Sequence, residues 1–156
     1  MARIGIFSDT HGSLRNLDAF KERLGQVDAV FHLGDIAEDA PRLARELNSG
    51  FVLVRGNCDP WSDLPTERVI PWYGHRILLL HGHTCSGRLP LYYKAKSLNC
   101  DVVCSGHTHI ASSERYDGIV LLNPGSLSLP RSSKGPSCAI LTVTEADISA
   151  ELLFLS

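Results

Sequence analysis

Short apolar runs alternate with helical spacings through the first two-thirds of the chain. "RIGIFSD" (3–9) predicts a buried strand. "SLRNLDAFKERLG" (13–25) then places Leu14, Leu17, Phe20 and Leu24 on one helical face, with Ser13 able to cap the start and Gly25 the end. "AVFHLGD" (29–35) predicts a second strand, "APRLARELN" (40–48) a second helix and "GFVLVRGN" (50–57) a third strand. A βαβαβ order makes the first strands parallel neighbours.

Later the pattern changes. "RVIPWYGHRILLLHG" (68–82) predicts a hairpin turning at Tyr73-Gly74, "LPLYYKAKSLN" (89–99) a helix and "CDVVCSGH" (100–107) a strand. "SSERYDGIVLLN" (112–123) turns at Asp117-Gly118, and "SCAILTVTEADISAELLFL" (137–155) alternates like two antiparallel strands. The Gly/Pro/Ser-rich stretch 124–137 lies between strands and is expected to be a loop inside the domain. A parallel set followed by antiparallel strands suggests two sheets face to face with helices outside, an α/β sandwich.

Length and composition narrow the class. The 156 residues suit one domain, 1–156, with a real core. A formal charge of −2 gives no electrostatic case for general nucleic-acid or membrane binding. The apolar runs are strand-length, far too short to span a bilayer, and "MARIGIFSD" lacks a signal-peptide layout, so a cytoplasmic location is expected. Five cysteines without a C-x-x-C pair argue against a disulfide framework or a zinc finger. Cys100 and Cys104, flanking an apolar strand, are expected to be buried.

The chemistry gathers where strands stop. The first ends in "SDTH" (Asp9, His11), the second in "HLGD" (Asp35) and the third in "RGNCD" (Asn57, Cys58, Asp59). "ILLLHGH" delivers His81 and His83, and "DVVCSGHTH" delivers His107 and His109, a pair that on extended chain would share one side of the sheet. Carboxyl ends of parallel strands open on one crevice, so these groups should converge. Imidazole and carboxylate ligands without thiolates suit Mn²⁺, Fe²⁺, Ni²⁺ or Zn²⁺. Asp9, His11, Asp35, Asn57, His81, His107 and His109 are too many ligands for one tetrahedral ion; they suit two ions about 3.5–4 Å apart sharing a carboxylate.

In their order and spacing, "DTH", "GD", "GNCD", "HGH" and "GHTH" resemble the calcineurin-like metallophosphoesterases, most of all their small single-domain YfcE-type phosphodiesterase branch. "NPGS" (123–126) extends the likeness. The resemblance implies a four-layer αββα sandwich and a phosphodiesterase with two divalent ions, Mn²⁺ first among the candidates. It assigns Asp9, His11 and His109 to one ion and Asn57, His81 and His107 to the other, with Asp35 bridging. A hydroxide between the ions would attack phosphorus.

The chain departs from the larger family at Cys58, where most members carry the histidine credited with protonating the leaving group. The small branch shares this cysteine. A thiol is a poor acid here, which favours good leaving groups or a substitute acid, either His83 or Asp59. Asp59 could equally cap the segment before Pro60.

Other residues have quieter readings. His32 is either a satisfied core histidine or a support for metal ligands, and His75 is expected to be exposed. Arg55 and Arg131 are expected to be solvated. Trp61, Trp72 and Tyr73 either wall a substrate or pack between layers. Gly-x-Ser-x-Gly is absent, which argues against a serine hydrolase. The expected substrate is a small phosphodiester, with nucleotides among the candidates. Pairing of subunits through the terminal strands is left open. The rival reading is a non-catalytic scaffold, since a eukaryotic retromer subunit resembles this family.

Overall fold

Alternating strands bury one row of side chains on each face, and this chain supplies enough apolar rows to fill three interfaces. The computed structural model describes residues 1–59 and 63–155. Its first sheet combines β1 (Ala2–Phe7), β2 (Ala29–His32), β3 (Gly50–Leu53), β9 (Ser137–Val143) and β10 (Ile148–Phe154) in the order β10-β9-β1-β2-β3. The second combines β4 (Glu67–Trp72), β5 (His75–Leu80), β6 (Val102–Cys104), β7 (Ser112–Tyr116) and β8 (Ile119–Asn123) in the order β4-β5-β6-β8-β7. Both are mixed: β1-β2-β3 and β5-β6-β8 run parallel, and the remaining pairs are antiparallel.

The side-chain rows sort the layers. Ile4, Ile6, Phe31, Ile77, Leu79, Val102, Cys104 and Leu122 meet between the sheets. Their sequence neighbours Phe7 and Val30 face α1 (Leu17–Leu24) and α2 (Ala40–Glu46). Leu78, Leu80 and Val103 pack under α3 (Arg88–Ser97). The result is the expected αββα sandwich. Cys100 and Cys104 are buried, as is Cys138. No helix among the described residues is long and apolar enough to cross a membrane.

Several expectations need correction. The C-terminal hairpin does not extend the later strands; β9 pairs with β1, because its Ala139, Leu141 and Val143 row completes the central core. The strand 102–104 lies parallel between β5 and β8, so the second half is not simply antiparallel. Ser13 does not cap α1. The helix starts at Leu17 after turns in which Ser13 and Leu17 donate to Thr10 and Leu14, although Gly25 ends it as expected. Both predicted hairpins form, with Tyr73 (φ 50°) and Asp117 (φ 48°) preceding glycines at positive φ.

His75 is not free in solvent. Its Nε2 meets the Thr144 carbonyl at 2.8 Å and its Nδ1 the Asp101 carboxylate at 3.2 Å, tying the β4–β5 turn to the β9–β10 turn. Trp72 packs into the inter-sheet core, edge-on to Phe31 at 5.9 Å, while Tyr73 is exposed. Trp61 lies outside the described residues.

This layering makes a stability prediction. Phe31→Ala, in the inter-sheet core, lowers unfolding free energy by about 4 kcal/mol, whereas Phe51→Ala on the exposed side of β3 changes it by less than about 0.5 kcal/mol. Urea unfolding of the two variants checks the contrast.

Candidate metal centre

The strands β1, β2 and β6 end by releasing the backbone into turns that an L-residue seldom adopts. Asp9, His11, Asp35, His107 and His109 all have positive φ, between 48° and 71°. The expected i, i+2 alternation of His107 and His109 on extended chain is therefore not how they come to face one place. β6 has already ended at Cys104, and two left-handed residues around Thr108 turn both rings inward. Glycine is required where these turns touch. A Cβ on Gly56 would overlap the Asp35 carboxylate, and one on Gly106 would overlap Ser8 and approach Asp9 Oδ2 to 2.8 Å.

The turns bring two groups of ligand atoms together. One comprises Asp9, His11, Asp35 and His109, the other Asp35, His81 and His107, with ligand atoms in each within 4.8 Å of one another and Asp35 common to both. Asp9 Oδ1 lies 3.3 Å from His109 Nε2, 3.6 Å from His81 Nε2 and 3.9 Å from His11 Nε2. Asp35 Oδ2 lies 3.3 Å from His81 Nε2 and 3.5 Å from His11 Nε2. Asn57 sits in the neighbouring loop, exposed, with its amide 3.8 Å from Cys58 Sγ.

The outer atoms of Asp9, Asp35, His81 and His109 are already committed, and that aims the inner ones. His81 Nδ1 donates to the Leu33 carbonyl (2.8 Å) and His109 Nδ1 to the Leu129 carbonyl (2.6 Å), so each Nε2 turns a lone pair inward. Asp9 Oδ2 accepts from Ser8 Oγ and the His107 N–H, both at 2.8 Å. Asp35 Oδ1 accepts from the Cys58 N–H at 2.8 Å. Asp9 Oδ1, His11 Nε2 and His81 Nε2 are buried with no hydrogen-bond partner among the described residues. Orphaned acceptors facing one another at such distances fit a divalent cation set among them.

The electrostatics agree. Burial raises the Asp9 carboxyl above its ordinary range despite His81 and His109. Asp35 is also pushed up by burial, but His81 and the Cys58 N–H outweigh this and hold it well below the usual carboxylate range. His81 is lowered by burial and raised more by Asp35 and Asp9. Positive charge is thus favoured at the point where the two carboxylates meet.

Around this centre the catalytic candidates separate. Cys58 is exposed, and burial together with the Asp35 carboxylate pushes its thiol up, so it stays protonated at neutral pH and donates weakly. His83 is exposed, 5.5 Å from His81 and 6.4 Å from His107, and burial followed by those two rings lowers it. Asp59 Oδ2 accepts from the N–H groups of Asp35 and Gly56, both at 2.9 Å, and its Oδ1 from Ala37 at 3.0 Å. These bonds clamp the Asp35 loop across Ile36, a β-branched residue at φ 61°. One of the three donors, the Gly56 N–H, lies in the segment before Pro60, so the carboxylate caps that segment while it holds the Asp35 loop.

Of the supporting residues, sequence reasoning singled out His32 as one of two readings and missed most of the rest. His32 is fully buried: its Nδ1 accepts from the Gly34 N–H (3.1 Å), leaving Nε2–H for Thr10 Oγ1 (2.9 Å). Thr10 in turn donates to Asp39 (2.6 Å), which also accepts from the Gly12 N–H (2.9 Å). Ser126 and Ser128 donate to the Asp9 and Thr10 carbonyls, and Asn123 braces Gly106 and Thr108. "NPGS" carried a faint signal of this; Asp39, in an ordinary acidic turn, carried none.

Buried acceptors on turns at the ends of parallel strands, with one carboxylate shared between two ligand groups, define a metal-dependent class of phosphoester chemistry. The profile of the calcineurin-like phosphoesterase superfamily domain matches residues 2–146, and the chain belongs to that family. A probable metallophosphoesterase of Bacillus subtilis (strain 168), YsnB, is 38% identical over 142 residues, covering 88% of this chain and 82% of that protein. The phosphodiesterase YfcE of Escherichia coli (strain K12) is 30% identical, covering 90% of this chain and 88% of its own length. Among solved structures, a predicted phosphoesterase of Streptococcus pneumoniae TIGR4 superposes with a TM-score of 0.79 at 29% identity, covering 99% of this chain and 90% of that one. Zinc-complexed Vps29 of Entamoeba histolytica shares the fold with the same TM-score at 20% identity, covering 99% of both chains.

Two predictions concern these supports. Asp59→Ala removes a carboxylate from three backbone N–H groups and lowers stability by about 2 kcal/mol in chemical unfolding. A residue serving only as a proton donor would leave unfolding unchanged.

The second prediction is a pH effect. Burial holds His32 down at about 4, against 6.5 when exposed, so between those values the unfolded chain binds the extra proton and stability falls as pH falls. The gap in unfolding free energy between wild type and His32→Asn is therefore largest at pH 7. It narrows by about 3 kcal/mol by pH 4, following the pKa difference.

Proposed function

We propose that the chain is a phosphodiesterase working with two divalent metal ions, Mn²⁺ first and Ni²⁺, Fe²⁺ or Zn²⁺ as alternatives, on a small phosphodiester, nucleotides included. One observation carries this reading: the two ligand groups share Asp35, and buried acceptors without hydrogens point at the space between them. Asp9, His11 and His109 would hold one ion, Asn57, His81 and His107 the other, and Asp35 both. Two ions held by these residues would supply a hydroxide near neutral pH and would offset charge on the phosphate oxygens.

The protein's own part is positioning. Leu33 and Leu129 fix the tautomers of His81 and His109, and Ser8 and the His107 N–H fix the rotation of Asp9. On the leaving-group side, His83 is the exposed imidazole nearest the ligand rings, while Asp59 is occupied by backbone donors. The YfcE relative supports diester chemistry by its name, and the open setting of Asn57, Cys58 and His83 leaves room for both arms of a diester.

The test is hydrolysis of an activated aryl phosphodiester by metal-stripped protein titrated with Mn²⁺, Ni²⁺, Zn²⁺ and Mg²⁺, beside Asp35→Asn. Turnover restored by metal and reduced by about a thousandfold or more in the variant is expected, since the shared ligand serves both ions. No turnover in protein that binds two ions would favour the scaffold reading, to which the Vps29 fold likeness belongs.

A further inference from the structure

On the other face of the second sheet, beneath the start of α3, lies a cavity of about 260 Å³. It sits at the carboxyl ends of β6 and β8, the place where α/β sheets receive ligands. Strand alternation turns Ser105 toward it: Val103 packs outward under α3, Cys104 inward between the sheets, and Ser105 outward again. Ser105 is 5% exposed, and its hydroxyl makes no hydrogen bond among the described residues.

The N-terminus of α3 opens on the same space. Gly87 precedes this ten-residue helix at φ 91° with no side-chain cap. The N–H groups of Gly87, Arg88 and Leu89 donate to nothing among the described residues. Arg88 stands at the mouth, forked onto the Glu114 carboxylate at 2.9 and 3.0 Å. Leu91 and Leu121 form an apolar floor. Free N–H donors at a helix start, a buried unpaired hydroxyl and an apolar floor together describe an acceptor-bearing, negatively charged head on an apolar body.

We propose that this cavity is a second binding site, for a small organic anion whose carboxylate or phosphoryl group caps α3 and contacts Ser105. It is distinct from the metal centre, yet only one loop divides them. Gly106 and Thr108 line the cavity, while His107 between them belongs to the ligand group of Asp35 and His81. The site stands on α3 and Ser105, so it does not depend on the phosphodiesterase reading.

The test is amide chemical-shift mapping of isotope-labelled, zinc-treated protein titrated with benzoate, phenylphosphonate and, as the neutral control, benzyl alcohol. Saturable shifts at Gly87–Leu89 and Ser105 are expected with one or both anions, and which anion binds more tightly identifies the head group. Ser105→Ala weakens that binding about fivefold, the loss of one neutral hydrogen bond. Glu114→Gln tightens it by freeing Arg88 and leaves benzyl alcohol unaffected. Equal binding of the alcohol, or shifts confined to Asp9, Asp35 and His107, overturns the proposal. Protein that shows the α3 shifts but hydrolyses no phosphodiester with Mn²⁺, Ni²⁺, Zn²⁺ or Mg²⁺ would sink the phosphodiesterase reading and leave this one standing.

Discussion

Two carboxylate oxygens and three imidazole nitrogens, 3.3–3.9 Å apart at the largely buried strand ends, form the constraint on which the structure depends. Lone pairs at those distances repel unless a proton or a metal cation stands between them. Four of the five would turn away if they could: Asp9, Asp35, His81 and His109. They cannot, because the far atom of each is already bonded: Asp9 through Ser8 and the His107 N–H, Asp35 through the Cys58 N–H, His81 through Leu33 and His109 through Leu129. These outer bonds convert four flexible side chains into a preset cradle, with His11 facing it.

That cradle is bought with backbone strain. Asp9, His11, Asp35, His107 and His109 occupy left-handed φ, a conformation that costs about 1 kcal/mol or more for a residue with a Cβ. Such turns persist only where neighbours hold them. Asp59 grips the peptides on both sides of Ile36, Asp39 and Thr10 hold the Asp9–Gly12 turn, and Asn123 braces Gly106 and Thr108. Ser126 and Ser128, far along the chain, fasten the Asp9 turn from the second side. The sheets supply the rigidity that makes this possible, because their central core locks the strand ends from which every turn departs.

Which parts were readable from sequence follows from range. Strand and helix identities, the two-residue hairpins and the convergence of ligands at strand ends are local or periodic, and each was legible. The placement of β9 beside β1 was not, because it depends on which apolar row fits the inter-sheet gap. His107 and His109 were correctly singled out for the wrong geometric reason: extended alternation was assumed where left-handed turns do the aiming. The supports at Asp39, Thr10 and Ser128 left little trace, since a hydroxyl or carboxylate bonded to a distant carbonyl or amide looks like any surface polar residue in the sequence.

Position 58 shows how metal binding and leaving-group chemistry can be separated within one loop. Its N–H fixes Asp35 Oδ1, and that contact is made by the backbone, whatever side chain follows. The side chain itself is exposed and carries a thiol held in its protonated, weakly donating form. A histidine exchanged for cysteine here therefore leaves the backbone bond to Asp35 in place and changes mainly the group offered toward solvent. On the phosphodiesterase reading, such an exchange shifts the burden from proton donation to the leaving group's own stability. The metal-holding half of the site feels the change only where the thiol reaches the Asn57 amide at 3.8 Å and the Asp35 carboxylate, because the bond that orients Asp35 Oδ1 runs through the backbone.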